Sequence, residues 1–325
     1  MDAETAGLLA QSLRRAFEDG DAASADAALD EIGWCEALAA EGIAVVPLLF
    51  AEQGAANAAS GALDDLLTAV LGLPPGARTA FVLPEFGGRS VPGSVRHGDL
   101  AVRGLGTARM AAADHAVVVT EEHRAVVVET GRLRIQPVKG VDPRLGLARV
   151  EGAGIPAPGA GRATDAGWTD ALAAGRLALA YEMTGASRTM LRLAREHALT
   201  RVQFGRPIGS FQAVRHRLAE CLVALDGGEA ALAAAVEMAE GAWPARVAPV
   251  PAGIAKALAG RNARTVARHC QQVLAGVGFT DEHDFHHYFR RVLALDGLLG
   301  DARTLTRELG EELLRTRRLP AVPSL

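Results

Sequence analysis

The chain has 325 residues, 49% of them apolar and only 4% aromatic, with a formal charge of −4. That length supports two domains or one large one with a sizeable core. The acidic balance argues against a nucleic-acid binder, which carries a basic surplus.

The N-terminus, Met-Asp-Ala-Glu, lacks the basic start and apolar core of a signal peptide. No apolar run reads as long enough to cross a bilayer, so a cytoplasmic protein without membrane contact is expected. Residues 1–77 read as helical. Leu8, Leu9, Leu13 and Phe17 share one helical face, and Gly20 marks a stop. Trp34, Leu38 and Ile43 continue the pattern, and Leu63, Leu66, Leu67 and Val70 form a further stripe that Gly72 and Pro74-Pro75 end. From residue 78 to 150 the character changes. Thr79–Leu83, Val117–Val119 and Val126–Val128 are short runs rich in β-branched residues between glycines, prolines and charges, and Leu133–Gln136 alternates. These read as strands of a small β domain, too short for a closed barrel, with edges covered by other elements.

Residues 151–325 return to the helical period. Leu172, Leu179, Met183, Ala186, Met190 and Leu193 mark one long helix, and Phe211, Val214, Leu218, Cys221, Leu222 and Leu225 a second. Ile254, Leu258, Val266 and Val273 mark a third, less regular one, and Leu305, Leu309 and Leu313 the last. The predicted fold is mainly α with a small β domain: N-terminal helices, a central sheet region and a C-terminal antiparallel helical bundle. Between the first two bundle helices, Arg201 to Gln212 reads Arg-Val-Gln-Phe-Gly-Arg-Pro-Ile-Gly-Ser-Phe-Gln. Gly205, Pro207 and Gly209 break the helix there, and the arginines and amides beside exposed backbone suit a phosphate or nucleotide.

That order resembles the acyl-CoA dehydrogenase family of flavoproteins. Arg201, Gln203, Phe204, Gly205 and Gln212 resemble the family's first bundle signature. Gln272, Gly276, Gly278 and Phe279 resemble its second, Val141-Asp142-Pro143-Arg144 the segment leading out of its β domain, and Arg176 a family arginine. The resemblance implies that Arg201 binds the pyrophosphate of FAD. It implies that Gln203, Phe204 and Gln212 contact the adenosine and diphosphate, with Gln272 and Gly276 lying against them. In the family these groups reach the FAD of a neighbouring subunit. A guanidinium forking onto phosphate oxygens suits that role.

The family's catalytic glutamate has two alternative places, and neither is filled. One falls in Asp296-Gly297-Leu298-Leu299-Gly300-Asp301, where Asp296 is the weak candidate base; the other is Gly175. The loop that holds the flavin ring reads Pro84-Glu85-Phe86-Gly87-Gly88-Arg89, and no tryptophan occurs between Trp34 and Trp168. The resemblance therefore implies a short subunit of a heterotetramer. It would lend the nucleotide half-site to a longer acyl-CoA dehydrogenase chain acting on an acyl-CoA, with an electron-transferring flavoprotein as acceptor. Glu282-His283-Asp284 resembles relatives that act on bulky steroid-derived thioesters. A self-sufficient homotetramer using Asp296 and a non-catalytic assembly subunit are the competing readings. His283 and His287, four apart, would place two imidazoles on one helical face but lack further ligands, so no metal is expected. Arg290-Arg291 reads as an ion-pair site or subunit contact. The three cysteines, Cys35, Cys221 and Cys270, far apart and in no metal spacing, read as small core residues of a protein in a reducing compartment.

Overall fold

The computed structural model describes residues 3–18, 21–87, 90–157, 162–163, 167–239 and 248–318. Five helices open the chain: α1 (Ala3–Ala16), α2 (Ala22–Ile32), α3 (Trp34–Glu41), α4 (Val46–Ala56) and α5 (Ala62–Val70). Asp21 caps α2 by accepting from the backbone N–H groups of Ala23 and Ser24, which satisfies two donors the helix cannot pair itself. Leu13 and Phe17 are buried as the stripe predicts, but Leu8 is 61% exposed. The stop expected at Gly20 falls outside the described residues.

One sequence expectation is corrected here. Trp34–Ala56, at 23 residues and a mean hydropathy of 1.6, is long and apolar enough to cross a membrane. It is not one straight rod: a 3-10 turn at Gly42–Val45 separates α3 from α4. Leu49 and Phe50 are fully buried in the main core. Gly54 and Gly185 let the next helices meet backbone to backbone; a Cβ on Gly54 would lie 2.0 Å from the Glu182 carbonyl oxygen.

The central region holds β1 (Thr79–Phe81), β2 (Gly93–Arg96), β3 (Asp99–Gly106), β4 (His115–Val119), β5 (Arg124–Glu129), β6 (Arg134–Pro137), β7 (Ala148–Pro156) and β8 (Arg162–Ala163). They form two four-stranded sheets, ordered β1-β4-β5-β8 and β2-β3-β7-β6. β1 and β4 pair in parallel, and the other pairs are antiparallel. The valine runs are continuous rather than alternating because β4 is buried on both faces. Val118 packs with Val82 and Val102 in the sheets' own core, while Val117 and Val119 join the core shared with the helices. β7 runs through position 150, where the sequence placed a boundary.

The remaining elements are α6 (Gly167–Thr200), the hairpin β9 (Val202–Gln203) and β10 (Arg206–Pro207), then α7 (Gln212–Glu237), α8 (Pro249–Leu274), α9 (Phe285–Gly297) and α10 (Ala302–Thr316). α6 is the axis of the molecule. It is buried along most of its 34 residues because alanines and glycines let α4, α8 and α9 approach closely. Leu222, placed on the apolar stripe of α7, is 45% exposed. Cys221 on α7 and Cys270 on α8, remote in sequence, are both fully buried and lie close enough for their thiols to influence each other.

Two buried ionic centres join the layers. Arg109 donates to Asp26 at 3.0 Å and to Asp65 at 2.5 Å. Beside it, Asp64 accepts from the Phe81 N–H and the Thr107 hydroxyl, each at 2.7 Å, which fastens α5 to the sheets. Arg291, fully buried, donates to Asp142, to Glu182 at 3.1 Å, to the Asn57 carbonyl at 3.2 Å and to the Ala58 carbonyl. Arg291 is thus an ion-pair site.

Candidate functional site: a nucleotide face and a closed interior

α6 ends at Thr200, and Arg201 leads into the β9–β10 hairpin, where the Ile208 N–H donates to the Arg201 carbonyl at 2.8 Å. Phe204 at φ 53° and Gly205 at φ 74° turn the hairpin tip. A phenylalanine in the left-handed region is uncommon, and here it holds the ring out in solvent, 91% exposed. Phe211 meets Phe204 edge-on with ring centroids 6.1 Å apart, and the Arg206 guanidinium sits 4.2 Å from the Phe211 centroid. Such a cation–aromatic contact stabilises an exposed turn by about 0.5–1 kcal/mol.

Gln203, Phe204 and Gln272 line one surface cavity of about 430 Å³ together with Phe211, Val214 and Arg217. Half of the predicted cofactor residues are therefore brought together. Arg201, Gln212 and Gly276 are exposed on the same chain segments but do not line that cavity. Gln272 also borders a neighbouring cavity of about 510 Å³ walled by Phe279 and Phe289. Aromatic faces beside amides, with guanidinium groups at the rim, suit a planar base followed by phosphates. Arg217 was missed by the sequence reading. It falls in helical register with Ala213 and Val214, on the face that meets the cavity, and its Nη1 lies 3.2 Å from His269 Nδ1. Burial and the nearby Arg268 hold His269 below its usual range, so the neutral ring can accept that bond.

The interior tells the opposite story. A Cβ on Gly175 would lie 2.6 Å from Leu299 Cδ1 and 3.0 Å from Leu67 Cδ2, so a side chain there would have to push the ends of both leucines aside. Phe86 covers the end of α9: a Cβ on Gly297 would lie 2.8 Å from its ring, and the Gly87 N–H donates to the Gly297 carbonyl at 3.1 Å. Arg176 is no solvated side chain; its Nε donates to the Leu299 carbonyl at 3.0 Å. What remains beside it is a space of about 230 Å³ lined by Pro84, Trp168, Leu172, Arg176, Leu299 and Glu308. That is below the roughly 300–1,000 Å³ of small-molecule pockets. Glu308 is a carboxylate at this rim that the sequence reading did not weigh.

Asp296 is 2% exposed and already engaged. One oxygen accepts from the Ala302 N–H at 3.1 Å and the other pairs with Arg264 at 2.6 Å. Lys256 Nζ, also buried, donates to the carbonyls of Leu295, Asp296 and Gly300 at 3.1–3.2 Å, fixing the loop between α9 and α10. A carboxylate so held is a strut rather than a mobile base. His283 precedes α9 rather than lying on it, so it and His287 do not share a helical face. The His283 Nδ1 instead accepts from the Phe285 N–H at 3.1 Å.

Residues 166–314 match the family described as acyl-CoA dehydrogenase, C-terminal domain. Over 202 residues the chain is 34% identical to the acyl-CoA dehydrogenase IpdE2 of Mycobacterium tuberculosis, covering 62% of this chain and 58% of that one. A 122-residue stretch is 39% identical to the acyl-CoA dehydrogenase FadE34 of the same organism, covering 38% of this chain and 17% of that one. The matches thus span at most a little over half the length of these curated relatives. Among solved structures, a chain of the Tcur3481-Tcur3483 steroid ACAD G363A variant superposes with a TM-score of 0.80 at 20% identity, covering 97% of this chain and 99% of that one. A chain of the ChsE4-ChsE5 complex from M. tuberculosis superposes with a TM-score of 0.79 at 22% identity, covering 99% of each. The predicted architecture is therefore the observed one.

Proposed function

We propose that this chain, whose residues 166–314 match the C-terminal domain of the acyl-CoA dehydrogenase family, is one subunit of a heteromeric FAD-dependent acyl-CoA dehydrogenase. It lends an adenosine–diphosphate half-site to a longer partner and carries no catalytic base of its own. The observation that carries this reading is the contrast between an open nucleotide face and a filled interior. Gln203, Phe204 and Gln272 share an accessible cavity, while Leu299 and Leu67 occupy the room a side chain at position 175 would need.

The residues fit one end of FAD and not the other. Gln203, Phe204 and Gln272 around the cavity, with Arg201 and Gln212 exposed on the adjoining segments and the unobstructed backbone of Gly276, would hold the nucleotide end. The ring end has no such seat, because Phe86 lies on Gly297 and the space beside Arg176 is small. In the partner chain, the bound flavin would accept the β-hydride of an acyl-CoA thioester whose α-proton a partner carboxylate removes. This chain's part is to grip the cofactor's tail and exclude water from it. Two of the structures it resembles are named as pairs of gene products, and one as a steroid enzyme. That supports a heterotetramer and a bulky acyl group. An electron-transferring flavoprotein is the acceptor that the family resemblance implies.

The test is co-expression with a longer dehydrogenase chain. The lone chain is expected to be colourless, the pair yellow, and Arg201→Ala or Gln272→Ala in this chain should strip flavin from the pair. Stoichiometric flavin in the lone chain would overturn the reading. The self-sufficient homotetramer is disfavoured because Asp296 is occupied by Arg264 and the Ala302 N–H.

A further inference from the structure

A second concave site lies between α8 and α10, away from the hairpin. Arg261, Arg264 and Arg268 project from one face of α8, and Arg303 and Arg307 from the facing side of α10, around a cavity of about 610 Å³. The three α8 arginines span about 10 Å at 1.5 Å per residue. No acidic side chain lines the cavity. Two of the five cations have partners. Arg264 pairs with buried Asp296 at 2.6 Å, and Arg307 reaches Glu311 at 3.7 Å, an exposed pair of little strength. Asp301 lies nearby but is spent capping α10 through the Arg303 and Thr304 N–H groups. Among the described residues no ion pair engages Arg261, Arg268 or Arg303.

Like charges gathered across a groove repel one another, and the fold tolerates that arrangement only where an anion or solvent offsets it. The volume falls within the range of small-molecule sites, and opposed guanidinium forks match phosphate oxygens two at a time. An acidic protein segment would need an extended strip of cations along one surface, whereas these face each other across a cleft. Arg264 and Arg268 also border the cavity walled by Gln272 and Phe279, so the groove opens onto aromatic and amide surface at one end. We propose that the α8–α10 arginine groove binds a diphosphate-bearing small molecule of nucleotide size, separately from the half-site at Arg201. The diphosphate could belong to a free nucleotide or to the nucleotide end of coenzyme A.

The probe is inorganic pyrophosphate, titrated calorimetrically into the full chain at low and high salt. Binding is expected that weakens as salt rises and falls about tenfold or more in the Arg261→Ala/Arg303→Ala double variant. Both side chains are exposed, so unchanged circular dichroism serves as the folding control. ADP and coenzyme A are titrated in competition: displacement by either supports the proposal and names the source, and displacement by neither overturns it. The pyrophosphate binding lost in the double variant should persist in Arg201→Ala, which removes only what the half-site itself binds, and the double variant should leave the flavin content of the co-expressed pair intact. Failure of the groove and failure of the half-site are thereby read separately. Equal binding by parent and double variant, loss of binding in Arg201→Ala alone, or preference for a decaglutamate peptide over pyrophosphate would each sink it.

Discussion

Leu299 Cδ1 lies where a side chain on Gly175 would have to begin: a Cβ built on the glycine would sit 2.6 Å from it. Forcing a methyl group into such packing destabilises by about 1–3 kcal/mol. Gly175→Ala is therefore expected to lower the urea midpoint, and Leu299→Ala added to it should cost less than the sum of the two single losses. Gly175→Glu should yield no dehydrogenase activity in the lone chain. Strict additivity in the double variant would show that the two positions do not touch.

Asp296 should prove structural. A general base contributes about 10²–10⁴-fold to rate, so an Asp296→Asn variant that cut kcat of the co-expressed complex by that much would make it catalytic. The expected result is a kcat within about threefold of the parent, well short of a base's contribution. Stability should fall, because the buried Asp296 side chain would lose its charged bond to the half-exposed Arg264 and bond the Ala302 N–H more weakly.

Glu182 is fully buried against Arg291 and also accepts from Gln53 Nε2 at 3.0 Å. Burial pushes its carboxyl up while Arg291 pulls it down. Removing one partner of a buried pair costs about 3–5 kcal/mol. Glu182→Leu is expected to lose that much in chemical denaturation, and Glu182→Gln, which keeps an acceptor for Arg291, clearly less. Equal losses would mean that packing rather than charge decides the site.

Burial pushes the Asp64 carboxyl up to about 7, against the pull of Arg109 and the bonds from Thr107 and Phe81. The folded state then holds this proton more tightly than the unfolded chain, where aspartate titrates near 3.9. Its contribution to stability is full below about pH 4 and is lost as pH rises through about 7. Asp64→Asn removes the titration. Denaturation of both proteins between about pH 5 and about pH 8 should show the variant gaining on the parent as pH rises, by at most about 1.4 kcal/mol per unit. A constant difference across that range would place the carboxylate ionised throughout.

Local pattern carried most of the architecture. The period of Leu179, Met183, Ala186 and Met190 located α6, and the valine runs located β4 and β5, because burial leaves its rhythm in the chain. What the rhythm could not carry was meetings between distant residues. Nothing local distinguishes Cys221 and Cys270 as neighbours, or says that Phe86 will lie on Gly297. No apolar run read as long enough to cross a bilayer, yet Trp34–Ala56 has the length and composition to do so. In the site, it was the resemblance to the family's signatures that pointed to Gln203, Phe204 and Gln272, which line one cavity. Arg217 was hidden among other charged positions of an exposed helix face, and the filling of the space at Gly175 depends on Leu67 and Leu299, over a hundred positions away from each other.

Phe204 and Phe279, at 91% and 74% exposure, leave two large rings facing water. Surface of that kind is adhesive. Contact between copies of this chain should therefore grow with concentration, and a polar residue in place of either ring should weaken it.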